Sequence, residues 1–251
     1  MEPRDIAAFS TTVISTLSLP KIIALTAAQI AALTTTQIRS LTSTQVRTIE
    51  VADIPSLTPA QVAAMTTAQV AAFTGGQIFA LEPQDAAAIT ASAIASISAP
   101  QLAALNNAAV GALTESQIGA LTSTQIIGLN DEFFRDWVSL LSPAALPGMT
   151  TTAFAAMSAY QFSVLTDEEI AALTLEQGGA ITSIQVAGMT VGDVTALSLN
   201  TTAVSALTTT AIGALSLEQL PYVGFNPTVP VNEAGCLIDP PVSVPIVIGV
   251  K

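Results

Sequence analysis

Leu113-Thr-Glu-Ser-Gln-Ile-Gly-Ala120 is followed directly by Leu121-Thr-Ser-Thr-Gln-Ile-Ile-Gly128, one eight-residue pattern written twice. Internal repetition of this kind decides the architecture before any other feature is weighed. Extended in both directions, the frame accommodates 27 octads between Met1 and Tyr222, with extra residues at 137–140 and again at 197–198. Residues 223–251 lie outside the pattern.

The octad is strict where helix chemistry requires it. Position 1 is always large and apolar and carries all five methionines, while position 6 is large and apolar except at Ala86 and Gly178. Position 2 is Ser, Thr or Asn except for Glu2, Glu50 and Glu82, and position 5 is most often Gln. Ser or Thr with Gln three residues later is a capping box, in which the hydroxyl and the amide each take one unpaired backbone N–H at a helix start. Positions 1 and 6 then stand in the relation of a hydrophobic staple. The spacing predicts a helix from position 3 to about position 8 in every octad.

Prolines and charges agree with that frame. Pro3, Pro59, Pro83 and Pro143 fall at position 3, the first helical residue, where the missing N–H costs least. Of the 16 acidic residues in the octads, all but Asp136 sit at positions 2 to 5, the end of a helix that favours negative charge. A single long helix is excluded, because its apolar stripe would advance by ~80° per octad. The reading is an all-α solenoid, a superhelix of 27 octapeptide short helices with positions 1 and 6 inside, followed by an extended or β-like tail. The rival is a β-solenoid, which Thr, Ile and Val content would suit. Pro55, Pro147 and Pro221 at position 7 speak for that rival, since Pro there removes a helical N–H.

Composition restricts function. The chain is 51% hydrophobic and 10% charged, with net charge −12. Six basic residues do not make the cluster that phosphate binding needs, so no nucleic-acid partner is expected. No apolar run reaches membrane-spanning length, and Met1-Glu-Pro-Arg-Asp5 does not read as a signal peptide. The lone Cys236 cannot form an internal disulfide, and the absence of His removes the commonest general base and metal ligand. No catalytic constellation, cofactor site or metal site is expected. The Glu/Asp pairs Glu2/Asp5, Glu50/Asp53 and Glu82/Asp85 read as acidic variants of the capping box.

Two features depart from the repeat. Asn130-Asp-Glu-Phe-Phe-Arg-Asp-Trp137 concentrates four charges, a Phe pair and the single Trp. Phe133, Phe134, Arg135 and Trp137 are therefore candidates for a partner or subunit contact, as such side chains often dominate interfaces. The repeat also opens at once, with Met1 at position 1 and Ile6 at position 6. A solenoid end of this kind exposes an apolar layer unless it is capped. Val244, Ile246 and Ile248 in the tail are the matching candidates for a head-to-tail contact between copies.

Leu57-Thr-Pro-Ala-Gln-Val-Ala-Ala64 resembles the opening helix of a TAL-effector DNA-binding repeat, but the second helix, base-reading residues and positive charge of that family are missing. The recurrent phrase Ala-Leu-Thr-Thr-Thr-Gln-Ile38, spread over residues 25–222, resembles Ala/Thr/Gln-rich repeat arrays of bacterial surface and adhesin-like proteins. That resemblance implies a structural or adhesive role outside the cell, reached by a signal-less route, with a cytoplasmic placement as the alternative. The leading expectation is a self-assembling structural subunit of a filament, fibre or surface layer. The alternatives are a binding module using residues 130–137 and an ice-binding protein with a Thr-rich face.

Overall fold

The computed structural model describes residues 2–223, and no strand occurs among them. Met1, Cys236, Val244, Ile246 and Ile248 lie outside the described residues, as does the expected extended tail beyond Val223. The chain forms two compact units, Met1–Leu121 and Thr122–Lys251. Each is a stack of very short helices, one per octad, so the all-α solenoid reading holds and the β-solenoid does not.

Thr34 to Leu41 shows how one octad folds. Thr34 is extended (φ −70°, ψ 159°) and caps the helix Thr35–Ser40. Its hydroxyl accepts the Gln37 N–H at 3.2 Å, and its own N–H donates to Gln37 Oε1 at 2.8 Å. The helix ends as Leu41 returns to extended backbone (φ −60°, ψ 140°), with its N–H bonded to the Ile38 carbonyl at 3.1 Å. Two consecutive extended residues, positions 1 and 2, thus reorient the chain, as they do again at Leu33–Thr34 and Met65–Thr66. No left-handed residue is needed, which is why the repeat dispenses with a terminal glycine.

The octads containing Pro55, Pro147 and Pro221 differ as their chemistry dictates. They form Val51–Ser56, Pro143–Gly148 and Leu220–Val223, the three 3-10 helices among the described residues. A proline at position 7 cannot donate the N–H that would continue the α-helical pattern, and the tighter 3-10 turn suits such a short piece. The prolines that favoured strands are thus accommodated without them.

Helices pack with a fixed period. Pro3–Ala7 packs on Ala27–Ala32, Thr11–Ser15 on Thr35–Ser40, and Pro59–Ala64 on Pro83–Ala88, each pair three octads apart. The second unit repeats the arrangement, with Ala159–Ser163 against Ser183–Gly188 and Asp167–Ala171 against Val191–Leu199. Positions 1 and 6 form the core, including Ile38, Leu41, Val46 and Ile49 in the first unit and Phe154, Met157, Phe162 and Leu165 in the second. The Phe154 and Phe162 rings meet edge to face, 5.6 Å between centroids, the arrangement aromatic quadrupoles prefer.

The two insertions are absorbed as extra helix. Residues 137–140 lengthen one helix to Asp131–Val138, and 197–198 lengthen another to Val191–Leu199. At the second, the sequence frame shifts. Leu197 is buried and does the work of position 1, whereas Leu199, expected there, is 77% exposed. Gly178, the position-6 exception, is explained at the same place. A Cβ on it would lie 2.3 Å from the Ala203 carbonyl oxygen, so only glycine permits the close approach of Thr201–Ser205 to Leu175–Ala180.

Candidate functional site

The expected contact at 130–137 divides when placed in three dimensions. Phe134 and Trp137 are interior residues, 0% and 1% exposed, and their rings lie 6.0 Å apart at 43°. They follow the helical spacing Phe134, Trp137, Val138, Leu141 and fill the core where the inserted turn adds volume. Trp137 and Phe134 therefore do not form a surface contact. Phe133 is half-buried, and Arg135 is exposed, with its guanidinium 3.0 Å from Asp136. Ile6 is likewise no bare end-face residue. It is 0% exposed, closed in as Ala27–Ala32 packs on its helix.

The polar residues brought together in space are instead the position-5 glutamines. Beyond completing the capping box, most of them turn Nε2 toward the preceding superhelical turn. Gln37 Nε2 donates to the Ile6 carbonyl at 2.9 Å and the Phe9 carbonyl at 2.8 Å. Gln45 reaches Ile14 and Leu17, Gln61 reaches Ile30 and Leu33, and Gln69 reaches Ile38 and Leu41. Gln77 continues to Val46 and Ile49. The acceptors lie 31 and 28 residues back, so a superhelical turn spans between three and four octads. One amide thus joins two chain segments at three points: its oxygen holds its own helix start, and its two N–H groups hold the bend of the turn before. These glutamines are almost fully buried, so their bonds are largely shielded from water.

The ladder follows octad number and not residue count. In the second unit Gln161 reaches Ile126 and Leu129, 35 and 32 residues back, an offset longer by the four inserted residues. Gln219 reaches Val186 and Met189 at 33 and 30 residues, longer by the two inserted ones. Gln177 and Gln185 span neither insertion and keep the basic offset, reaching Leu146 with Met149 and Phe154 with Met157.

A second solution exchanges the roles of the two positions. Asn106 caps Ala109 N–H through Oδ1 at 2.9 Å, while its Nδ2 donates to Phe79 and Leu81 carbonyls at 2.8 and 2.9 Å. Asn200 caps Ala203 and donates to Ala171 and Leu173. Where position 2 is Asn, position 5 is Ala109, Phe133 or Ala203 and never Gln, because the asparagine amide already occupies both tasks.

Carboxylates occupy the same slot at a few octads. In the first turn Asp5 is exposed, as are Val13 and Lys21 at the equivalent positions. Further along, Asp85 is 0% exposed, and neither side-chain oxygen has a hydrogen-bond partner. Burial, then the Glu82 charge, pushes its carboxyl up to about 6, opposed by the nearby Glu82 backbone N–H, which falls short of a hydrogen bond. Glu169 is also buried; one oxygen accepts the Thr166 N–H at 2.8 Å and the Thr166 hydroxyl at 3.1 Å. Burial raises its pKa, opposed by the Thr166 bonds, with a smaller upward contribution from Glu168. Glu82/Asp85 is thus not the simple capping variant its sequence suggested, whereas Glu2/Asp5 is, with the Glu2 N–H on Asp5 at 2.8 Å. Among the described residues no cluster of three potential metal ligands forms, and no helix is long and apolar enough to cross a membrane.

The profile of a repeat family described as the ALTTAQ repeat matches residues 1–35, 46–83 and 94–131. The chain therefore carries a repeat array similar to that family, and the same octad architecture continues past the last matched residue. No curated protein matches the chain.

Proposed function

We propose that this chain is a structural, self-assembling repeat protein, the subunit of an extracellular filament, fibre or surface layer joined head to tail. The observation that carries this reading is what the repeat conserves from octad to octad. Positions 1 and 6 are core, and positions 2 and 5 are cap and ladder. Positions 1, 5 and 6 are directed at neighbouring turns, and position 2 starts each helix. Many of the remaining surface positions are short residues such as Thr35, Thr36 and Ala63, with large apolar exceptions at Phe79, Ile127 and Ile184. The repeated chemistry is devoted to extending the stack, as expected where nearest-neighbour interfaces supply the stability of a solenoid.

Stacking between copies follows from the same chemistry. Gln219 is the last glutamine of the sequence, so bends after Met189 meet no further position-5 amide. In the first turn Asp5, Val13 and Lys21 hold the slot, and of these only Lys21 can donate. A head-to-tail joint associates separate chains, so assembly is concentration-dependent. A heterologous contact of this kind grows into a filament unless it closes into a ring. The low charge, the Ala- and Thr-rich exposed positions and the likeness of the sequence to surface-protein arrays support the extracellular placement. The test is electron microscopy and light scattering across a concentration series, alongside a chain lacking residues 223–251. Particle mass rising with concentration supports assembly; a monomer at the highest concentration overturns it.

A further inference from the structure

Asp85 poses a problem that the ladder itself resolves. Its slot is the one from which glutamines donate to two carbonyls of the preceding turn, and the 31- and 28-residue register places those of Ile54 and Leu57 there. A carboxylate cannot donate. Its oxygens are buried without a partner, and such a charge facing carbonyl oxygens is costly. A neutral carboxyl, by contrast, has one O–H and can serve one of the two carbonyls that an amide serves. Glu169 sits in the same slot in the second unit, where the register points to Val138 and Leu141.

We propose that Asp85 and Glu169 are proton-operated rungs of the ladder. Protonated, each donates its O–H to a carbonyl of the preceding turn; deprotonated, each sets a buried negative charge against that carbonyl. Each unit therefore tightens in mild acid and loosens toward neutrality, the proton coming from and returning to solvent.

Among the described residues, no unpaired cation faces either slot: Val51–Ser56, which carries the Ile54 carbonyl, adds the acidic Asp53, and Asp131–Val138, which carries the Val138 carbonyl, has its Arg135 exposed and paired with Asp136. The helices packed on Pro83–Ala88, which are Pro59–Ala64 and Asn107–Gly111, carry no charged or titratable residue. Glu82 adds a like charge. Against Asp167–Ala171 pack Pro143–Gly148, with no titratable group, and Val191–Leu199, with Asp193. Asp167 and Glu168 on its own helix are also acidic. The sign follows by linkage. A carboxyl raised in the folded state contributes stability fully present below its unfolded value of 3.8 and lost as pH rises through about 6, the value for Asp85. Glu169 acts in the same direction above its ordinary 4.5.

Thermal unfolding of the full chain between pH 7.5 and 5 tests this, with Asp85→Asn, Glu169→Gln, the double variant and the exposed Glu115→Gln as control. The unfolding midpoint of the parent should rise on acidification. Asp85→Asn should raise the midpoint at pH 7.5 and remove most of the rise, and the double variant should be nearly flat. Glu115→Gln should keep the parental slope, which separates the rungs from general relief of net negative charge. A carboxyl-carbon NMR titration of Asp85 should give a midpoint near 6. An ordinary midpoint, or a slope unchanged in the double variant, overturns the proposal. So does calcium at pH 7.5 stabilising the parent but not Asp85→Asn, since the slot would then take a cation.

Discussion

Replacing Gln77 by methionine isolates the ladder from the core. Methionine matches the length and flexibility of glutamine, so packing is largely kept while every polar contact is removed. Gln77 is fully buried. Its Oε1 accepts the Thr74 N–H at 2.8 Å, and its Nε2 donates to Val46 and Ile49 carbonyls at 3.0 and 2.8 Å. The Val46 carbonyl keeps its bond from the Ile49 N–H, so it is weakened and not orphaned. Two lost donor bonds at about 1 kcal/mol each and one lost cap contact at about 1 kcal/mol sum to roughly 3 kcal/mol. For a chain of this size that corresponds to a midpoint lower by roughly 6–12 °C. The assay is thermal unfolding followed by circular dichroism, with the exposed Gln84→Met as control. If Gln77→Met unfolds within about 2 °C of that control, below the shift expected for 1 kcal/mol, the inter-turn bonds do not hold the stack.

Other substitutions examine the frame and its exceptions. Ile118→Asp buries an unpaired charge at position 6 and should unfold its unit, whereas Thr124→Asp, exposed in a helix's first turn, should be neutral or slightly stabilising in a urea titration. Gly178→Ala should lower stability by more than about 2 kcal/mol through backbone overlap with Ala203, while Gly179→Ala, with its nearest atom at 3.5 Å, should be tolerated. Asn106→Thr should lose the bonds to Phe79 and Leu81, and adding Ala109→Gln should restore them, a coupling visible in a double-mutant cycle. Trp137, the single tryptophan, should show blue-shifted fluorescence protected from acrylamide; red, readily quenched emission would return it to the surface.

The helix frame was legible because capping chemistry is local. Ser or Thr with Gln three residues on, and Pro at position 3, fixed where each helix starts, and the structure places Thr34, Thr58 and Thr114 as caps accordingly. The inter-turn bond was not, since the number of octads per turn depends on the bend at positions 1 and 2, which no local rule sets. A signal existed nevertheless. A capping box accepts glutamate as readily as glutamine, yet Glu169 is the one glutamate at position 5 against 13 glutamines. That preference needs a donor, and hence an acceptor elsewhere. The pairing of Asn106, Asn130 and Asn200 with a position 5 lacking Gln points the same way. Trp137 misled because charged neighbours suggested a surface, although its spacing from Phe134 is that of a helix's buried face. Leu199 misled because the extra residues were assigned before it, while the lengthened helix seats Leu197.

The central claim is that, within each unit, buried side-chain amides tie one superhelical turn to the one before. Hydrogen exchange at the glutamine Nε2 groups, resolved by NMR, reads it directly. The account predicts that Gln37, Gln45, Gln61, Gln69 and Gln77 exchange far more slowly than the exposed Gln84, at rates approaching those of core backbone amides. Equal, fast exchange at all six side chains would contradict it.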